Sequence, residues 1–330
     1  MTTLGPAAAA GASSGAVRVG TRASHLAQTQ TATVVDALTA AGLQVQTVAM
    51  TSDGDRTRAS LASLGGTGVF AANLRRALLA DECDAVVHSL KDLPTTPHPG
   101  LRIAATPARE DARDVLCARD GLTVATLPEG ARVGTGSPRR GAQLRTRRPD
   151  LQVVDIRGNV QTRLGYVTAG ELDAVVLAAA GLRRVELTDA ITEYLPLADW
   201  PAAPGQGVLA VEVRDGEDRD DLLAALAAIH DEASWAAATA ERAVLARLEA
   251  GCAAPVAAHA WLTGAANTDS PDDGSLPGTL RLHAAAYHPT EVQTLRADGT
   301  AGLEDATALG RRLAEELLAA GAGDWISPTR

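Results

Sequence analysis

Asp84-Ala85-Val86-Val87-His88-Ser89-Leu90-Lys91-Asp92-Leu93-Pro94 opens as a compact, β-branched apolar run and then turns polar. The first half reads as a short buried strand and the second as the turn that leaves it. In open α/β sheets, ligands bind just beyond the carboxyl ends of the strands. That rule puts Ser89, Lys91 and Asp92 at a binding crevice. Lys91 is also the only lysine among 30 basic residues. A chain that uses arginine everywhere else has a compact ammonium at this one point. The plainer alternative is a lysine–aspartate pair on a solvated surface.

Outward from this stretch, the pattern is that of a doubly wound α/β domain. Val17-Arg18-Val19-Gly20-Thr21-Arg22-Ala23-Ser24 reads as a strand and turn, with Ser24 as N-cap of a helix to about Ala41. A strand over Gln44–Met50 follows, then a Gly65-Gly66-Thr67-Gly68 loop and a helix from Phe70 to Ala80. The grammar then returns. Ala131-Arg132-Val133-Gly134-Thr135-Gly136-Ser137 shares Val-Gly-Thr with the first strand, and Asp173-Ala174-Val175-Val176 repeats Asp84-Ala85-Val86-Val87. Two anchors in the same order predict two similar α/β domains. Between them, Leu101–Ala105 and Val115–Ala118 read as connecting strands. Pro138 opens a helix, Leu151–Ile156 is a strand and Val160–Ala169 a helix. After a Pro/Gly-rich passage, Val208–Arg214 is expected to return to the first sheet. Two crossovers then make a hinge, with a ligand cleft between the lobes. From Asp220 to about Glu249 the chain reads as helical. Three strand-like runs (Pro255–Leu262, Arg281–Tyr287, Val292–Arg296) and a last helix over Leu303–Ala320 make a small α+β domain, with an exposed loop over 267–278. The expected domains are 16–108 with 208–228, then 109–207, then 229–330, after a disordered tail over 1–15.

Hydrophobic residues make up 46% of the chain but aromatics only 2%, so the cores must rest on Val, Leu, Ile and Ala. No basic leader and no membrane-length apolar run occur, so a cytoplasmic protein without membrane partners is expected. Three cysteines without paired spacing argue against a disulfide framework or a zinc site. A net charge of −10 argues against nonspecific nucleic-acid binding.

Against that charge, residues 132–163 reverse sign locally, with Arg132, Arg139, Arg140, Arg145, Arg147, Arg148, Arg157 and Arg163 opposed only by Asp150 and Asp155. Arg145, Arg147 and Arg148 read as a solvated helix face. Arg139 and Arg140 open a helix, where the macrodipole disfavours cations and favours a bound anion. Arg157 and Arg22 end strands. Guanidinium forks bind carboxylates bidentately, so the cleft looks built for a ligand with several anionic groups. Cys252 sits in a Gly/Ala loop, where an exposed thiol could act as a nucleophile or attachment point. Cys83 and Cys117 lie in or beside apolar strand runs, where a buried thiol is the usual case.

Five motifs now converge. Val87-His88-Ser89-Leu90-Lys91-Asp92-Leu93-Pro94, Ser137-Pro138-Arg139-Arg140, Arg157-Gly158-Asn159-Val160-Gln161-Thr162-Arg163, Pro204-Gly205-Gln206-Gly207 and Leu248-Glu249-Ala250-Gly251-Cys252, in this order, resemble the porphobilinogen deaminase (hydroxymethylbilane synthase) family. The resemblance implies two domains like those of periplasmic binding proteins plus a small α+β domain. It implies a dipyrromethane cofactor held by a thioether, here at Cys252. On that primer the family condenses four porphobilinogen units with loss of ammonia and releases hydroxymethylbilane by hydrolysis. Carried over residue by residue, Asp92 is the catalytic carboxylate. Arg22, Ser24, Lys91, Thr135, Ser137, Arg139, Arg140, Arg157, Gly158, Arg163 and Gln206 bind cofactor and substrate, and Phe70 lies near the loop covering the site. A monomer is expected. This chain departs from the family pattern at Ser63 and Thr67, where several relatives carry lysines. Further departures are Gly136 and Pro138 in Thr135-Gly136-Ser137-Pro138, and Ala250 before Gly251-Cys252. The rival reading is a non-catalytic two-lobed binding protein for a small polycarboxylate, since a shared fold does not fix function.

Overall fold

The computed structural model describes residues 15–50, 69–251, 254–264 and 278–326. The first lobe contains β1 (Val17–Arg22), α1 (His25–Ala40), β2 (Val45–Met50), α2 (Val69–Leu79), β3 (Ala85–Ser89) and β4 (Leu101–Ala105). The second contains β5 (Asp114–Ala118), β6 (Arg132–Thr135), α3 (Pro138–Arg147), β7 (Gln152–Asp155), α4 (Val160–Thr168), β8 (Ala174–Ala178), α5 (Ala179–Arg184) and β9 (Glu193–Leu195). β10 (Leu209–Arg214) then returns to the first sheet. The strand orders are β2-β1-β3-β10-β4 and β7-β6-β8-β5-β9. In each sheet three parallel strands meet a fourth, antiparallel one supplied by the chain as it crosses between lobes. The strands expected as mere connectors are therefore full sheet members, and β5 is the second lobe's counterpart of β10. This is the anticipated pair of doubly wound α/β lobes.

The repeated Asp-Ala-Val-Val has a structural cause. Its apolar residues alternate between two buried faces. Ala85 and Val87 pack under α1 and α6 (Asp220–Ile229), while Val86 packs under α2. Ala174 and Val176 face one core of the second lobe and Val175 and Leu177 the other. A strand covered on both sides needs an unbroken apolar run. The aspartate locks register. Asp84 accepts from the Arg18 backbone N at 2.7 Å and Asp173 from the Arg132 backbone N at 2.7 Å. Each returns its own N–H to the same residue's carbonyl, at 2.8 and 2.9 Å. Gly20 and Gly134 of the shared Val-Gly-Thr sit opposite Val86 and Val175, where a Cβ would stand 2.9 and 3.1 Å from the valine methyl groups.

Asp84 also takes the Arg18 guanidinium at 2.6 Å, with Arg219 3.6 Å away. These cations hold its carboxyl below the usual range despite burial. Asp84→Asn is therefore expected to weaken the first lobe by roughly 1.5–3 kcal/mol, the worth of a hydrogen bond to a charged group. Turnover per folded molecule should stay unchanged, because Asp84 lies at the strand end away from the cleft. Because the native pKa is depressed, this stabilisation is present above the unfolded value and is lost as pH falls through the native one. Thermal melts at pH 7 and at acid pH check both points.

The chain expected to be one long helix breaks into α6 and α7 (Glu232–Arg247), with Asp231 capping the second by accepting the Ser234 N–H at 2.7 Å. α6 belongs to the first lobe's core, whereas α7 packs with α8 (Ala306–Ala319) on a three-stranded antiparallel sheet. Its strands are β11 (Val256–Leu262), β12 (Leu280–Tyr287) and β13 (Thr294–Ala301). The sheet's other face meets α3 of the second lobe through Ala142, Ala257, Ala285 and Tyr287. No helix among the described residues is long and apolar enough to cross a membrane.

Candidate active site

β3 ends at Ser89, and a single 3₁₀ turn, Leu90–Asp92, carries the chain out of the sheet. That turn places Lys91 and Asp92 on the wall of a cavity of about 200 Å³ between the two lobes. The first lobe also contributes Arg22 and Ser24 from the end of β1, and Leu26, Ala27 and Gln30 from α1. The second lobe contributes Arg140, Gly158, Asn159, Arg163 and Arg184. Ser24 caps α1 by accepting the Ala27 N–H at 3.4 Å. Among the described residues five cations thus line the cavity, and Asp92 is the one carboxylate. Among the described residues that carboxylate takes no hydrogen bond, which leaves it open to N–H donors from a ligand.

Burial makes these cations costly to hold. Burial, with Arg140 nearby, lowers the Lys91 ammonium to about 8. Burial, with Arg140 and Arg157 nearby, lowers Arg163 to about 10. Arg163 donates Nε to the Gly158 carbonyl at 2.8 Å, and among the described residues no carboxylate lies within 4.0 Å of it. Arg184, lowered by burial, donates to the Gly207 carbonyl at 2.8 Å. An incoming polycarboxylate would relieve all three.

The centre behind the cavity was not foreseen from the sequence. Asp114, fully buried at the start of β5, takes Arg139 Nη2 at 2.8 Å, Arg140 Nη2 at 2.7 Å, Gln206 Nε2 at 2.8 Å and Trp200 Nε1 at 2.9 Å. Burial alone would raise its carboxyl; the two arginines hold it far below the usual range. This pairing, rather than a bound anion, explains two cations at a helix N-terminus. Arg139 is spent on Asp114, Gln143 and the Pro201 carbonyl and does not line the cavity. Arg140 does both. Gln206 stands behind the wall, its Oε1 accepting from Lys91 Nζ and Arg140 Nη2, each at 3.3 Å, so it ties one lobe to the other.

Other expected residues fall outside the cavity lining. Thr135 Oγ1 accepts the Ser137 N–H at 3.2 Å, and Ser137 caps α3. Arg157 pairs with Asp155 at 3.4 Å beside the site. Two of the arginines read as a solvated face are structural pins: Arg148 binds Asp150 and the Val124 and Leu127 carbonyls, and Arg145 reaches the Pro289 carbonyl of the third domain at 2.8 Å. Phe70 belongs to α2, but its side chain, the stretch Gly65–Gly68 expected as a loop, and Cys252 lie outside the described residues.

A profile described as "Porphobilinogen deaminase, dipyromethane cofactor binding domain" matches residues 17–221, and one described as "Porphobilinogen deaminase, C-terminal domain" matches residues 235–319. The chain belongs to the porphobilinogen deaminase family. It is 55% identical over 322 residues to the porphobilinogen deaminase of Leifsonia xyli subsp. xyli, covering 94% of each chain. It is 50% identical over 318 residues to that of Thermobifida fusca, covering 94% of this chain and 95% of the relative. Among solved structures, the methionine binding protein MetQ aligns with a TM-score of 0.43 at 11% identity, over 66% of this chain and 91% of that one. Porphobilinogen deaminase, a transferase activity with a dipyrromethane cofactor, is therefore the family's chemistry, and a binding protein without catalysis is not favoured.

Proposed function

We propose that this cleft carries out the hydroxymethylbilane synthase reaction. Four porphobilinogen units are condensed head to tail with loss of ammonia, and the linear product is released by hydrolysis. The observation that carries the reading is one carboxylate, Asp92, facing a wall of five cations in a cavity between two lobes. Each pyrrole unit brings an acetate and a propionate, so a growing chain needs cations in number. The same wall fits a dipyrromethane, whose four carboxylates would meet Arg22, Lys91, Arg140, Arg163 and Arg184. Attached through Cys252, the cofactor would supply the pyrrole carbon to which the first unit is joined, and the ring added last would supply it for each later unit. The guanidinium groups orient the carboxylates by bidentate contacts. Asp92 accepts pyrrole N–H hydrogen bonds and stabilises the positive charge that develops on the substrate ring as ammonia leaves. On this reading the protein is a monomer that acts on a small molecule and needs no nucleic acid.

The test is to incubate the purified protein with porphobilinogen and follow ammonia and linear tetrapyrrole. One ammonia per porphobilinogen consumed, ending in hydroxymethylbilane, is expected; binding without ammonia release would overturn the reading. The pH dependence adds a residue-level check. kcat/KM reports groups of the free enzyme. Lys91 binds carboxylates only while protonated, so kcat/KM should fall as pH rises through about 8. Lys91→Arg should move that fall to higher pH, even if the longer side chain lowers the plateau.

A further inference from the structure

The turn that carries Lys91 and Asp92 is held from outside its own lobe. Leu90 and Leu93, which bracket the pair, are buried in one cluster with Ala238 of α7. One helical turn further on the same face, Arg242 donates Nη1 to the Leu93 carbonyl at 3.0 Å and to that of Leu90 at 3.3 Å. Its Nη2 donates to the Pro94 carbonyl at 2.6 Å. These carbonyls lie where the chain has left the sheet, so no neighbouring strand serves them. The preceding residue, Glu241, is fully buried and accepts the Gly205 N–H at 2.6 Å and that of Ala260 at 2.7 Å. Gly205 leads directly into Gln206, which receives Lys91 Nζ. Two consecutive residues of α7 therefore grip the two loops that meet at Lys91.

We propose that Arg242 is a positioning residue for the Lys91–Asp92 turn, acting from the third domain through three backbone carbonyls and not through the substrate. The inference rests on the function proposed above. A guanidinium can serve three carbonyls from one rigid plane, whereas an ammonium on a flexible stem cannot hold that geometry. Without this clamp the turn keeps its leucine packing but loses its fixed orientation, and small displacements of a catalytic group cost much rate. Most of the cavity's cations stand on β1, α3, α4 and α5 rather than on the turn that Arg242 holds, so binding should survive.

The experiment compares full-length wild type, Arg242→Gln and Arg242→Lys, with Arg247→Gln as control. Arg247 lies on the same helix but, among the described residues, pairs with exposed Glu315 at 3.2 Å and does not reach the turn. For Arg242→Gln, kcat per folded molecule should fall about tenfold to a hundredfold with KM little changed and the cofactor mass retained. Arg242→Lys should recover part of the loss, and the control should match wild type. Hydrogen exchange at the Leu90 and Leu93 amides, bonded to the Val208 and Leu90 carbonyls, should quicken in Arg242→Gln and not in the control. If Arg242→Gln folds poorly, Arg242→Lys gives the same comparison. Unchanged kcat, a loss that vanishes once the folded fraction is counted, or unchanged exchange would each overturn the proposal. A wild type that does not consume porphobilinogen would instead overturn the proposed function, and the exchange comparison would still show whether Arg242 anchors the turn.

Discussion

Cys252→Ala is expected to give a protein at its sequence mass with no tetrapyrrole-forming activity. The wild type should be heavier by two porphobilinogen units less two ammonias. The contrast with the other two cysteines carries the argument. Cys83 is fully buried and Cys117 is 2% exposed. Burial pushes their thiols up to about 11 and about 12, which keeps them protonated and unreactive at neutral pH. Cys83 packs between α2 and β3, Cys117 packs beneath α4, and neither lines the cavity. Cys83→Ala and Cys117→Ala should keep both the added mass and the activity, at a modest cost in stability. Intact-mass spectrometry of all four proteins, with a porphobilinogen assay, decides the point. An unmodified wild type with full activity would overturn the attachment site.

How far the sequence could be read depended on whether a residue's partner lay nearby in the chain. The apolar run at Asp84–Val87 and its copy at Asp173–Val176 are local signals, and they led to two similar lobes, with Lys91 and Asp92 at the rim. Arg139 and Arg140 were misread in part because their counter-charge, Asp114, lies 25 and 26 residues earlier and meets them only when β5 joins the second sheet. A cation at a helix N-terminus looks unexplained until that strand is in place. Arg184 was missed because it stands at the far end of α5, whereas the repeat puts Ala180 where the first lobe has Lys91. Arg242 had no local signal either, because its partners are carbonyls of another domain about 150 residues away. The aspartate of the repeat, by contrast, proved to be a register lock in both lobes.

Asp92→Asn is expected to leave the fold and ligand binding in place and to lower turnover by at least a hundredfold. Departure of ammonia leaves positive charge spread over a pyrrole ring. A fixed carboxylate beside that ring favours the transition state over the ground state, which is the condition for raising kcat. A hundredfold corresponds to about 2.7 kcal/mol of barrier, within the range of one well-placed electrostatic contact in a partly desolvated site. The substitution keeps the size and one acceptor and removes only the charge. No hydrogen bond within the described fold depends on the Asp92 carboxylate, so the unfolding midpoint should change little. The cavity's arginines remain to hold carboxylates, so KM should change far less than kcat. Asp92→Glu, with the charge restored on a longer stem, should fall between asparagine and wild type. Asp84→Asn provides the opposite pattern at the other end of the same strand: lower stability with normal turnover per folded molecule. Single-turnover measurements of ammonia release on these variants separate the chemical step from product release. If Asp92→Asn releases ammonia at the wild-type rate, Asp92 is a binding residue and the charge developing on the substrate must be stabilised elsewhere in the cavity.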